Sequence, residues 1–106
     1  MKLYQLADMK GGWFAGDFHP TIVPSKDFEV AVKHYVAGAK EPKHHHKIAQ
    51  EVTVITAGSV RMNGVIYTEG AIVVLEPGDS TDFEAITAAT TVVLKTPSVT
   101  GAKYLD

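Results

Sequence analysis

The sequence predicts an all-β protein, and three observations carry that prediction. Phe28, Val30, Val32, His34 and Val36 alternate with Glu29, Ala31, Lys33, Tyr35 and Ala37, the period of two that a strand imposes on its faces. Short runs rich in β-branched residues then recur every ~8–12 residues with turn residues between them, the spacing of a sandwich or barrel. No stretch offers a helical face, since Ala85 to Ala89 is too short to stand alone.

The elements follow in order. The residues through Trp13-Phe14 and Phe18 read as one or two strands broken at Gly11-Gly12 and Gly16, and Pro20 and Pro24 bracket a loop. After the alternating run comes Glu51 to Thr56, closed by Ala57-Gly58-Ser59. Val60 to Tyr67 holds Asn63-Gly64 between apolar residues, a hairpin signal because both turn positions want positive φ. Ala71 to Leu75, the turn Glu76-Pro77-Gly78-Asp79, Thr81 to Ala85 and Thr90 to Lys95 complete the series. The tail from Pro97 to Asp106 lacks periodicity and is expected along the barrel surface, anchored by Val99, Tyr104 and Leu105.

Composition narrows the function. The chain has 106 residues, enough for one domain and too few for two ordinary ones. A formal charge of −2 without a basic cluster argues against a nucleic-acid binder, whose affinity comes mostly from phosphate neutralisation. Zero Cys removes disulfides and thiolate metal sites, and fits cytosol and exterior alike. No apolar run approaches the ~20 residues of a membrane span. Met1 to Gln5 does not begin a secretory signal, so a cytoplasmic location is expected.

Four of the five histidines lie between positions 34 and 46. On a strand, His44 and His46 share a face while His45 points away. Two imidazoles so placed can bind one divalent ion through ring nitrogens at ~2.0–2.1 Å. If Lys47 to Gln50 forms a turn, Glu51 returns beside them, giving two neutral ligands and one carboxylate with open positions. Iron, zinc, manganese and nickel all accept that set. The same stretch also reads as a solvated polar loop, with Glu51 an exposed charge at a strand start.

The wider spacing resembles a known pattern. Gly38, five residues, His44, one residue, His46, four residues, Glu51, six residues, Gly58 is similar to the first motif of the cupin superfamily at every marked position. The resemblance implies a single cupin-type jelly-roll β-barrel over 1–106: N-terminal strands and loop at 1–27, barrel core at 28–95, tail at 96–106. It also implies a divalent transition metal held by His44, His46 and Glu51. The second motif is partial. Gly70, Pro77 and Gly78 keep its turn, but Thr81 stands where the family has a fourth ligand His, and Ala85 where it has Asn.

Other residues add expectations. His34, in register with the valines, would project toward the site if that face lines the barrel, and could carry protons; the reading favoured over that one is a structural His hydrogen-bonded within the wall. Thr81 is the other pocket candidate. Asp82 faces the opposite side and reads as a solvated charge. Trp13 and Phe14 read as core or interface. If Glu51, Thr53 and Ile55 face inward, Val52 and Val54 need cover from another layer or a second subunit, which with family habit leads to a homodimer.

The expected function is metal-dependent catalysis on a small polar metabolite, sugar-like or keto-acid-like. The alternatives are a non-catalytic small-molecule binder or sensor with a degenerate metal site, or an interaction protein with a vestigial one.

Overall fold

The computed structural model describes residues 1–99 and the backbone of 103–105. After two 3-10 turns, Leu6–Asp8 and Lys10–Gly12, the chain forms β1 (Trp13–Ala15), β2 (Glu29–Tyr35), β3 (Lys40–His46), β4 (Gln50–Ala57) and β5 (Ser59–Met62). β6 (Val65–Thr68), β7 (Ile72–Leu75), β8 (Thr81–Ala85), β9 (Ala89–Thr96) and β10 (Lys103–Leu105) follow. One antiparallel sheet has the order β1-β2-β9-β4-β7, the other β10-β3-β8-β5-β6. No helix among the described residues is long and apolar enough to cross a membrane.

The expected β class is what the chain adopts, with three differences in layout. The sheets face each other without closing into a barrel. Their edge strands are β1 and β7 on one side and β6 and β10 on the other, and the sheets join through a shared core. The N-terminal segment makes only the short β1, because Gly11 and Gly12 take positive φ and hold it in 3-10 turns. The tail adds a tenth strand, Lys103–Leu105, antiparallel to His44–His46. Val99 is half-buried, while the side chains of Tyr104 and Leu105 lie outside the described residues.

Alternation decides which residues meet between the sheets. Ile55 and Ala89 from one sheet pack on Val60, Met62, Phe83 and Ala85 from the other, closing one end with a dry core. The inner face of the first sheet continues as cross-strand rows: Glu29, Lys95 and Glu51; Ala31, Val93 and Thr53; Lys33, Thr91 and Ile55. Its outer face carries two other rows: Val30, Leu94, Val52 and Val74; then Val32, Val92, Val54 and Ile72. Ile72 and Val74 are exposed, so the described chain leaves part of this aliphatic face open.

This pattern corrects the reading of His34. β2 turns its valines outward and its Glu29, Ala31, Lys33 and Tyr35 inward, because the enclosed space at this end is polar. His34 therefore lies on the exposed outer face, its Nδ1 3.0 Å from Thr90 Oγ1, and does not reach the interior.

Two turns rest on backbone that few side chains tolerate. Asn63 and Gly64 have φ of 49° and 78°, the type I′ geometry expected of the pair, and they join β5 to β6. Gly58, between β4 and β5, has φ of 81°, and a Cβ there would collide with the Ala88 carbonyl oxygen. Gly38 has φ of 87° but faces open space. Gly38→Ala is therefore expected to cost about 1 kcal/mol of unfolding free energy. Gly58→Ala, adding a backbone clash, is expected to cost about 3 kcal/mol or more. Urea unfolding of the two variants measures the difference.

Candidate metal centre

The site begins with a flaw in β3. Pro42 has no N–H to give the ladder, and pairing with β8 shifts register between Glu41 and His44. Beyond that irregularity His44 sits opposite Thr81. His44 and His46 turn inward and are 8% and 5% exposed, so the run is not a solvated loop. His45 is only partly covered. Lys47, Ile48 and Ala49 then carry the chain to the opposite sheet, where Glu51 opens the inner face of β4. The carboxylate returns beside the imidazoles, with Glu51 Oε1 3.5 Å from His46 Nε2.

The donor atoms suit a cation. His44, His46 and Glu51 each offer one ligand atom, all within 4.8 Å of one another. Two ligands on one ion at tetrahedral angles stand ~3.4 Å apart, which the 3.5 Å pair matches. His44 Nδ1 donates to the Pro42 carbonyl at 3.0 Å, leaving the lone pair on Nε2. His46 Nε2 is buried and makes no hydrogen bond. A buried nitrogen left unpartnered is costly, and a cation would satisfy it.

Charge at the centre is set by the neighbouring rungs. Burial alone would push the Glu51 carboxyl up, but the His46 imidazole, the Lys95 ammonium and His44 together hold it below the usual carboxylate range. Thr53 Oγ1 donates to Glu51 Oε2 at 3.3 Å. Lys95 lies between two acids, with Glu51 on one side and Glu29 on the other, and its Nζ is 3.1 Å from Glu29 Oε1. Ser98 Oγ donates to Glu29 Oε2 at 3.0 Å, and the Asp17 N–H donates to that serine oxygen.

The structure places the other candidates unequally. Thr81 is 2% exposed and lines the pocket with the two histidines, its hydroxyl donating to the Asp82 carbonyl at 2.6 Å. Asp82 faces outward as expected, its carboxylate accepting the Asn63 N–H. Reasoning from sequence missed Lys33, Tyr35, Glu41 and Lys95, all in the pocket wall, and left Trp13 to core or interface. Tyr35 donates from its hydroxyl to Glu41 Oε1 at 2.9 Å and packs its ring on Phe83. Burial pushes the Tyr35 phenol well above its ordinary range, and the Glu41 and Glu51 carboxylates push the same way. No local spacing marked these residues, because they join the pocket through pairing between strands distant in sequence.

An uncharacterised conserved protein with a double-stranded β-helix domain from Klebsiella pneumoniae superposes with a TM-score of 0.71 at 17% identity, covering 98% of this chain and 90% of that one. An RmlC-like cupin from Shewanella frigidimarina matches with a TM-score of 0.65 at 18% identity over 71% and 70% of the two chains. The chain has the cupin fold. A third match is the DMSP lyase DddQ from Ruegeria pomeroyi, with a TM-score of 0.72 at 21% identity over 88% of this chain and 49% of that protein. No protein-family model and no curated protein matches the sequence.

The buried charge row generates a prediction for the metal-free protein. A depressed Glu51 pKa adds stability that is fully present above the unfolded carboxylate value and is lost as pH falls through the folded one. Lys95→Met removes the cation between two buried acids and is expected to cost about 3 kcal/mol at neutral pH. The deficit should shrink as pH falls below the usual carboxylate range and Glu51 protonates. Chemical denaturation at neutral pH and below that range measures both effects.

Proposed function

We propose that this chain is a metal-dependent enzyme acting on a small polar metabolite, with His44, His46 and Glu51 as the ligands of a divalent iron, manganese, zinc or nickel ion. The observation that carries the reading is the buried His46 Nε2, which makes no well-formed hydrogen bond and stands 3.5 Å from a carboxylate whose pKa is held below its usual range. Catalysts of small molecules on this fold support it: a DMSP lyase and a sugar phosphate isomerase of the cupin superfamily from Silicibacter pomeroyi are among the structural neighbours. A bound ion supplies Lewis-acid polarisation of a carbonyl or hydroxyl oxygen. The protein supplies the rest: the Pro42 carbonyl aims His44, Thr53 aims Glu51, and the Tyr35–Glu41 pair holds a proton inside the pocket.

A second reading, a non-catalytic binder or sensor, is favoured by one feature. Thr81 occupies the position that the resemblance assigns to a fourth nitrogen ligand. Elemental analysis of protein purified without a histidine-affinity step separates the readings. Near-stoichiometric divalent metal, with affinity falling about a hundredfold or more in His46→Ala and Glu51→Gln, supports the enzyme. Thr81→His, adding a nitrogen beside His44, is expected to tighten metal binding by about tenfold. Metal-free protein that still binds a metabolite supports the sensor.

We propose that the homodimer expected from sequence would use the open part of the aliphatic outer face of the first sheet, around Ile72 and Val74. A flat apolar face can serve as an isologous interface. Analytical ultracentrifugation is expected to give a species above the 11.4 kDa chain mass. The double variant Ile72→Lys, Val74→Lys should return it to the monomer; a monomeric wild type at micromolar concentration rejects the interface.

A further inference from the structure

The pocket wall away from the imidazoles carries a charge that the fold leaves uncancelled. Lys33 projects from the inner face of β2, is only half-exposed and lines the same pocket as His44, His46 and Glu51. It has no carboxylate within ion-pair distance among the described residues; its recorded contact is the face of Trp13, 5.5 Å from Nζ to ring centre. Lys95 approaches that ring at 4.8 Å but is neutralised by Glu29. The acids in the pocket are committed: Glu41 to the Tyr35 hydroxyl, Glu51 to His46 and Lys95.

Beside this lysine lies a second unfinished group. Thr91 is in register with Lys33 on the adjacent strand, is 1% exposed and lines the pocket. Its Oγ1 lies near the Tyr35 phenol yet makes no hydrogen bond of good geometry. A half-covered ammonium without a carboxylate, and a buried hydroxyl whose one near neighbour, the Tyr35 phenol, is poorly aligned, stand on neighbouring strands. Their common complement is an oxyanion, since charge-assisted hydrogen bonds are about twice as strong as neutral ones.

We propose that the metabolite is a carboxylate-bearing molecule, anchored with its carboxylate on Lys33 Nζ and Thr91 Oγ1 against the Trp13 face. The proposal rests on the reading above in that the molecule's far end meets the His44, His46 and Glu51 centre. With a divalent ion seated, Lys33, Lys95 and the ion carry four positive charges against the three of Glu29, Glu41 and Glu51. An uncharged sugar would leave that excess unanswered.

Trp13 is the only tryptophan in the chain, so its emission reports on the anchor directly. The test titrates zinc-loaded and metal-free protein with succinate and with the uncharged control succinamide, zinc content being measured separately. Succinate should give a saturable change that succinamide does not. Lys33→Met should weaken it about tenfold, and Lys33→Arg should restore it to within about threefold. Thr91→Val should weaken it several-fold without lowering stability, since the hydroxyl it removes is unsatisfied. Circular dichroism confirms that each variant is folded. Equal responses to the two probes, no saturable response to succinate, or wild-type affinity in folded Lys33→Met overturns the anchor. If zinc binds but succinate ignores Lys33, the anchor fails and the metal reading stands. If zinc does not bind while the succinate response still needs Lys33, the metal reading fails and the anchor stands.

Discussion

A buried row of alternating charge, Glu29, Lys95 and Glu51 across three adjacent strands, is the constraint on which the site depends. An isolated carboxylate between two sheets would take up a proton, because desolvation penalises its charged form. Lys95 prevents that for Glu51, and Glu29 with Ser98 keeps Lys95 in place. The row thereby maintains a negative charge next to two imidazoles in a region largely closed to water. Such an arrangement leaves buried polar groups incompletely satisfied, which a protein selected for stability alone would avoid.

The division of the interior into two ends follows from strand parity. At one end alternation brings Ile55, Val60, Met62 and Phe83 together and excludes polar groups. At the other, the same strands present Glu51, Thr53, Lys33 and Lys95 to one another. The ring contact of Phe83 with Tyr35, centroids 4.6 Å apart, lies where the dry end meets the polar one. The dry end contributes the burial that holds the sheets together, and the polar end supplies the chemistry. The candidate ligands come from both sheets, so relative motion of the sheets would disturb the centre, and the core opposes that motion.

Much of the candidate site was legible as a spacing. His44 and His46 two residues apart, with Glu51 one turn later, form a local arrangement whose geometry follows from alternation and a short connection. Lys33, Tyr35, Glu41 and Lys95 could not be found that way, because they join the pocket through pairing between strands distant in sequence. His34 shows how a local rule misleads. A valine face ordinarily turns inward, but here the outer face is the aliphatic one and the enclosed space needed the charges.

By itself the sequence determined the strand periodicity, the Asn63-Gly64 hairpin and the pairing of two imidazoles with a carboxylate, since each depends on residues within one turn or strand. Tertiary structure decided which face of β2 looks inward, that the sheets stay open at their edges, and that the tail adds a strand beside His44–His46. It also decided that Trp13, Lys33 and Thr91 share a wall with the candidate ligands. Those outcomes depend on registers between strands up to 66 residues apart, such as Trp13 with Ala31 and Glu29 with Lys95. No local pattern encodes a register; it is chosen by the burial and charge balance of the two sheets together.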